Sequence, residues 1–163
     1  HSGSSVSKRD LTGQWERKAE GVRDYYYEFL ENDSFNIKII MHWGNPFYNG
    51  EIHLSYIYGG KWNLKDDTLF MEYAPKSMEV ELDTSRISYR PEMRDSVKSY
   101  IRLLNIAAWK QSLRKSLERN RRDTFPVTTN KANDKIEMVV SRDDDGNVKS
   151  HYIKRLKDSN VFK

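Results

Sequence analysis

His42 and His53 are the first residues in this sequence whose type invites a chemical reading. Imidazole is a common transition-metal ligand, and a cross-strand pair of histidines would supply two ligands of a usual four. Both fall on neighbouring strand-like segments and face outward in the local alternation. No third ligand accompanies them, so no metal site is expected. Asp143-Asp144-Asp145-Gly146-Asn147 has the acid density of a calcium loop. It lacks the spaced acids and distal Glu of an EF-hand and reads instead as a hairpin turn. The chain has no cysteine, which excludes thiolate ligands, disulfides and a Cys nucleophile. It also contains no Gly-x-Ser-x-Gly, no phosphate-cradling glycine loop and no His-Glu-x-x-His. Glu28, Glu72, Glu79 and Glu81 could form carboxylate pairs, but they fall on polar strand faces. The expectation is a protein that binds rather than catalyses, with no cofactor.

Binding chemistry is better represented. Apolar residues make up 37% of the chain and charged residues 32%, yet there are 4 Trp, 10 Tyr and 6 Phe. Large flat side chains in a polar chain suit a sheet with one wet and one dry face. If Trp15 points inward, alternation places Tyr27, Phe29, Ile39, Met41, Leu54, Tyr56, Trp62, Met71 and Tyr73 on inner faces with it. Tyr and Trp offer an apolar body with a polar tip, which suits a small hydrophobic or amphipathic ligand. The same residues would equally fill a closed interior. Tyr25-Tyr26-Tyr27 turns Tyr26 away from its neighbours, so that face needs a cover of polar side chains or a helix.

A second binding chemistry is electrostatic. Between Pro91 and Arg122 lie nine Lys or Arg and three acids, a surplus of six against four for the whole chain. Arg114, Lys115 and Arg119 are the candidate contacts for an acidic protein or an anionic surface. The alternative is a solvated face, with cations gathered where the helix dipole favours them. Nucleic acid is not expected, because the aromatics sit at strand positions and no nucleic-acid motif occurs.

The elements that must position these residues follow from periodicity. The 163 residues fit one domain, and no apolar run is long enough to span a membrane. Phe35-Ile37-Ile39-Met41-Trp43, Ile52-Leu54-Tyr56-Tyr58, Met78-Val80-Leu82 and Ile136-Met138-Val140 recur at period two, the mark of half-buried strands. Asn32-Asp33-Ser34, Gly44-Asn45-Pro46, Asn49-Gly50, Asp66-Asp67 and Asp145-Gly146-Asn147 supply turn chemistry. About eight strands at ten-residue spacing suggest an antiparallel meander closed as an up-and-down barrel. From Pro91 to Arg122 the apolar residues recur at three- and four-residue steps instead. This predicts one long amphipathic helix inserted before the last two strands. The polar, Ser-rich residues 1–10 read as a flexible lead-in, with a single domain over 11–163.

Gly13-Gln14-Trp15 at the first strand resembles the Gly-x-Trp signature of lipocalins. Gly60-Lys61-Trp62, with Leu64 and Asp67-Thr68-Leu69 after it, resembles the mid-barrel hairpin of bacterial lipocalin-like domains of the sort common in Bacteroidetes. His151 to Leu156 resembles the closing strand of that family. The resemblance implies a ligand-holding calycin-type barrel, with Trp15 filling the floor and Arg155 packed across it. It departs from the family in the helix, which lipocalins usually carry after the eighth strand. The family and the start at His1, which suits a removed signal segment or a tag remnant, imply an extracytoplasmic protein. It would be secreted, periplasmic or lipid-anchored at the outer membrane surface.

Overall fold

The computed structural model describes residues 5–18, 23–157 and 160–163. Nine strands form in chain order: β1 (Gly13–Lys18), β2 (Arg23–Phe29), β3 (Ser34–Asn45), β4 (Tyr48–Lys65), β5 (Thr68–Asp83), the short β6 (Ile87–Ser88), β7 (Arg122–Thr129), β8 (Lys135–Arg142) and β9 (Val148–Arg155). Three helices accompany them: α1 (Lys8–Leu11), α2 (Arg94–Leu103) and α3 (Ile106–Arg119). All the pairings are antiparallel, and β3 pairs with both β2 and β4. The last strand returns to the first through Trp15–Arg155 and Glu16–Lys154. Eight strands thus close into an up-and-down barrel, and β6 only adds to the start of β4. Closure pairs strand edges that would otherwise invite association.

Alternation builds the inner wall. Along β3, Phe35, Ile37, Ile39 and Met41 are buried and the residues between them are half-buried. Asp66 and Asp67, both with positive φ, make the two-residue turn that sets Lys65 opposite Thr68. The segments around Ile52 and Trp62 are one 18-residue strand rather than two. It bends where the β4–β5 register shifts between Ile57 and Gly59. Gly60 is required just beyond, because a Cβ there would lie 1.9 Å from the Glu72 carbonyl oxygen.

The helical segment precedes the last strands but differs from one continuous helix over 91–122. It opens with a 3₁₀ turn at Pro91–Met93, and α2 ends at Leu103. Asn105 then adopts a left-handed conformation and accepts a hydrogen bond from the Ala108 amide, capping α3. The helix stops at Arg119, and three barrel strands follow rather than two. Arg122–Thr129 is a strand because Phe125 and Val127 alternate toward the core, Val127 being 2% exposed. Because β7 pairs with β5 only over Thr68–Glu72, the rest of β5 lacks a strand on that side. There α3 packs against β5 and turns Ile106, Trp109, Leu113 and Leu117 onto the main core. A smaller cluster of Tyr48, Ile52 and Val97 joins α2 to the far end of β4.

The expected lead-in is anchored from Val6 onward, and residues 1–4 lie outside the described residues. Val6 is buried, and its amide donates to Asp67 Oδ1 at the β4–β5 turn. Ser7 and Asp10 form a reciprocal capping box on α1. Those polar residues are cap chemistry, which composition alone does not distinguish from a linker. Tyr26 is buried on the outer face. Its cross-strand partner Lys38 donates to the Val161 carbonyl, so the C-terminal turn, not the inserted helix, lies beside it.

Candidate functional site: a tyrosine belt above an apolar floor

The floor is built around Trp15, which is fully buried and donates from Nε1 to the Leu11 carbonyl at 2.8 Å. Arg155, its neighbour on β9, lies over the indole at 4.1 Å from the ring centroid. The guanidinium is held by three carbonyl oxygens: Nη1 donates to Thr12, Nη2 to Asp10 and Nε to Asn133. Gly13 has a φ of +125, and a Cβ there would sit 2.7 Å from Arg155 Nη1. The glycine of Gly-x-Trp is therefore explained by the arginine on the other side of the closure. The second Gly-x-Trp repeats the device with a lysine. Trp62 Nε1 donates to the Leu30 carbonyl, and Lys8 Nζ stands 5.6 Å from its ring centroid. Phe29 meets Trp62 edge-on at 5.2 Å, and Leu69, Ile136 and Ile153 complete a dry layer.

Beyond this layer the inner face changes character. Arg17, two residues after Trp15, lies over the Tyr25 ring at 3.9 Å. Its Nε is buried without a hydrogen-bond partner among the described residues. Burial pushes the Tyr27 phenol up in pKa, with Arg17 opposing that rise. Burial likewise raises Tyr56 and Tyr58, and Tyr58 packs on Tyr73 at 5.7 Å. The Tyr73 hydroxyl donates to Asp123, which reaches inward from β7. Tyr73 is held strongly protonated by burial first and by that hydrogen bond second. His151 on β9 is lowered by burial and then by the nearby positive charge of Arg17. At the strand end, the Tyr25 hydroxyl raises Arg23 by hydrogen bonding. The belt thus offers phenols, one unsatisfied guanidinium N–H and a single committed carboxylate. Groups of these types can meet a hydrogen-bond acceptor attached to an apolar body.

All ten inner-face residues expected from alternation lie in one core cluster, nine of them buried and Tyr73 packed against it. They divide between floor and belt. The candidate set did not include Arg17, Tyr25, Asp123 and His151, nor Tyr58, although alternation had placed Tyr58 on the face of Leu54 and Tyr56. Arg17 and Tyr25 share the phase of Trp15 and Tyr27, so their period-two position was the available signal. Asp123 carried none, because it lies just past the expected end of the helix at Arg122, where no apolar alternation marks its strand.

The basic residues of α3 differ in their surroundings. Arg114 turns toward β5, with Nη2 at 3.5 Å from the Lys76 and Met78 carbonyls. It caps the strand edge that β7 leaves unpaired. Lys110 pairs with Glu79, whereas Lys115 and Arg119 remain exposed beside a shallow cavity of about 290 Å³. The Asp143 loop is a hairpin turn whose carboxylate accepts the Asp145 and Asn147 amides. On the outer face, His42 and His53 stand directly opposite each other, and Glu51 joins them as a third donor. The sequence reading missed Glu51, although a Glu two residues before His53 on a strand shares its face.

No protein-family model and no curated protein matches the chain. The closed eight-stranded antiparallel barrel is compatible with a calycin or lipocalin-like fold. No helix is long and apolar enough to cross a membrane among the described residues.

Proposed function

We propose that this chain is a non-enzymatic binding protein of the cell envelope, related to bacterial lipocalin-like domains. In this reading it holds a small amphipathic ligand against the tyrosine belt. The observation that carries the reading is Arg17. Its Nε–H is buried, stacked against Tyr25 and without an acceptor among the described residues, in a barrel whose other inner polar groups are largely paired. A buried unsatisfied donor costs about 1–3 kcal/mol. A ligand oxygen at that nitrogen would recover it, with the phenols of Tyr27, Tyr56 and Tyr58 around the apolar body. The Gly-x-Trp floor and its Arg155 lid support the family resemblance. The envelope location rests on that resemblance.

The test is native mass spectrometry of the protein purified from its own host, then extraction under denaturing conditions. A stoichiometric small molecule with an apolar body and an anionic or carbonyl head is expected. Arg17→Met is expected to lose it by at least about tenfold in affinity while remaining folded. A clean unliganded mass, together with no saturable binding of medium-chain carboxylates, would sink the reading. Weight would then pass to the exposed cations Lys115 and Arg119 as a protein contact.

A further inference from the structure

The outer face of the β3–β4 hairpin carries a cluster that the barrel reading leaves unused. His42 and His53 are cross-strand partners, between inward-facing neighbours Met41 and Leu54. Their rings meet edge to face at 4.4 Å, with His42 Nδ1 3.0 Å from His53 Nε2. Glu51 lies on the same face of β4. One ligand atom from each of the three falls within 4.8 Å of the others. Behind His42, Asp24 Oδ2 lies 2.8 Å from Nε2.

That carboxylate decides the tautomer. Asp24 accepts, so His42 carries its proton on Nε2 and turns the Nδ1 lone pair toward His53. This is the carboxylate–histidine arrangement that orients metal-bound imidazoles. Without a cation, one proton on His53 Nε2 bridges the two rings. A metal ion can replace it. Metal–nitrogen bonds of about 2.0–2.1 Å at a tetrahedral angle set two nitrogens roughly 3.3 Å apart, so the nitrogens must part by about 0.3 Å and the rings turn to aim both lone pairs at the ion. Arg86, whose positive charge acts on His53, has its Nε already paired with Asp83 at 3.3 Å.

We propose that His42 Nδ1, His53 Nε2 and a Glu51 oxygen bind one divalent transition-metal ion of the zinc class, with Asp24 as the positioning residue. Two imidazoles and one carboxylate suit Zn²⁺, Co²⁺, Ni²⁺ or Cu²⁺ and discriminate against Mg²⁺ and Ca²⁺. Glu51 is exposed, so the remaining coordination position faces solvent and takes water. The site is on the barrel exterior and is independent of any ligand inside.

Zn²⁺ titration by calorimetry and Co²⁺ visible absorption on the full chain test this. One equivalent is expected, with a tetrahedral or five-coordinate Co²⁺ spectrum and a zinc-dependent rise in melting temperature. The His42→Gln/His53→Gln double variant should lose at least about 100-fold in affinity. Asp24→Asn should lose about 10–100-fold, the usual cost of removing such a partner. Glu51→Gln, at an exposed position that does not threaten folding, should lose about tenfold. Failure of the unaltered chain to bind one equivalent below millimolar concentration would overturn the site. So would binding unchanged in the double variant, which would place the ion at His1 or His151.

Discussion

The floor and the belt are made by the same strands and differ in what those strands turn inward. At the floor, Leu11, Trp15, Leu69, Ile136 and Ile153 are all 0% exposed, and each indole N–H has a carbonyl acceptor. In the belt, two or four residues along the same strands, Arg17, Tyr25 and Tyr58 are only partly buried, and one guanidinium nitrogen has no partner among the described residues. The floor is arranged for stability. The belt retains polar groups that an apolar core of equal volume would not need. Stability given up in one region of an otherwise consistent fold is the pattern expected of a binding site.

The largest effect should come from breaking the floor. Trp15→Ala removes the largest fully buried side chain and is expected to cost about 3–5 kcal/mol, read from the urea midpoint. Next, Arg155→Ala strips the cover from Trp15 and leaves three carbonyls without that donor, at a cost of about 2–3 kcal/mol. Gly13→Ala should cost about 1–3 kcal/mol through its positive φ and its collision with Arg155. In the Arg155→Ala background the same change should cost less, because only the φ strain remains. A cycle with no coupling would mean that Gly13 is required by φ alone.

The belt should respond with smaller and opposite changes. Arg17→Met is expected to leave the urea midpoint unchanged or to raise it by up to about 1 kcal/mol. Tyr58→Phe should stay within about 0.5 kcal/mol, since burial rather than a hydrogen bond dominates its raised pKa. If either change cost as much as a floor mutation, the contrast between the regions would be wrong.

The smallest expected effects concern pH. His151 is depressed below its ordinary value, so its folded form binds fewer protons than its unfolded form on the acid side. Its contribution is present above about pH 6.5 and is lost as pH falls through the folded pKa. His151→Gln should flatten the stability curve there. The phenols of Tyr27, Tyr56, Tyr58 and Tyr73 are shifted the other way, as is Tyr48, pushed up to about 12 by burial first. Their contribution is present below about pH 10 and is lost as pH rises through the folded values. Stability measured from pH 4 to 11 checks both signs.

Local chemistry made much of this readable in the sequence. Period-two alternation depends only on backbone pleat, so it placed Ile39, Met41, Leu54 and Tyr56 on one face before any pairing was known. Asp66-Asp67 tolerates positive φ, so that turn was legible too. Gly13-Gln14-Trp15 and Arg155 could be joined only through family resemblance, because the closure brings together residues from opposite ends of the chain. Three things required the tertiary structure. The helix breaks at Asn105 and stops at Arg119 because α3 must fit the β5 edge that β7 leaves open, which no window of sequence reports. Arg114 reaches the Lys76 and Met78 carbonyls of that same edge. Glu51, His42 and Asp24 converge because three strands align in one register. The sequence by itself determined which side chains share a face, because pleat and turn geometry are local. Only the tertiary structure decided which faces meet, because strand register and ring closure are set by packing between distant segments.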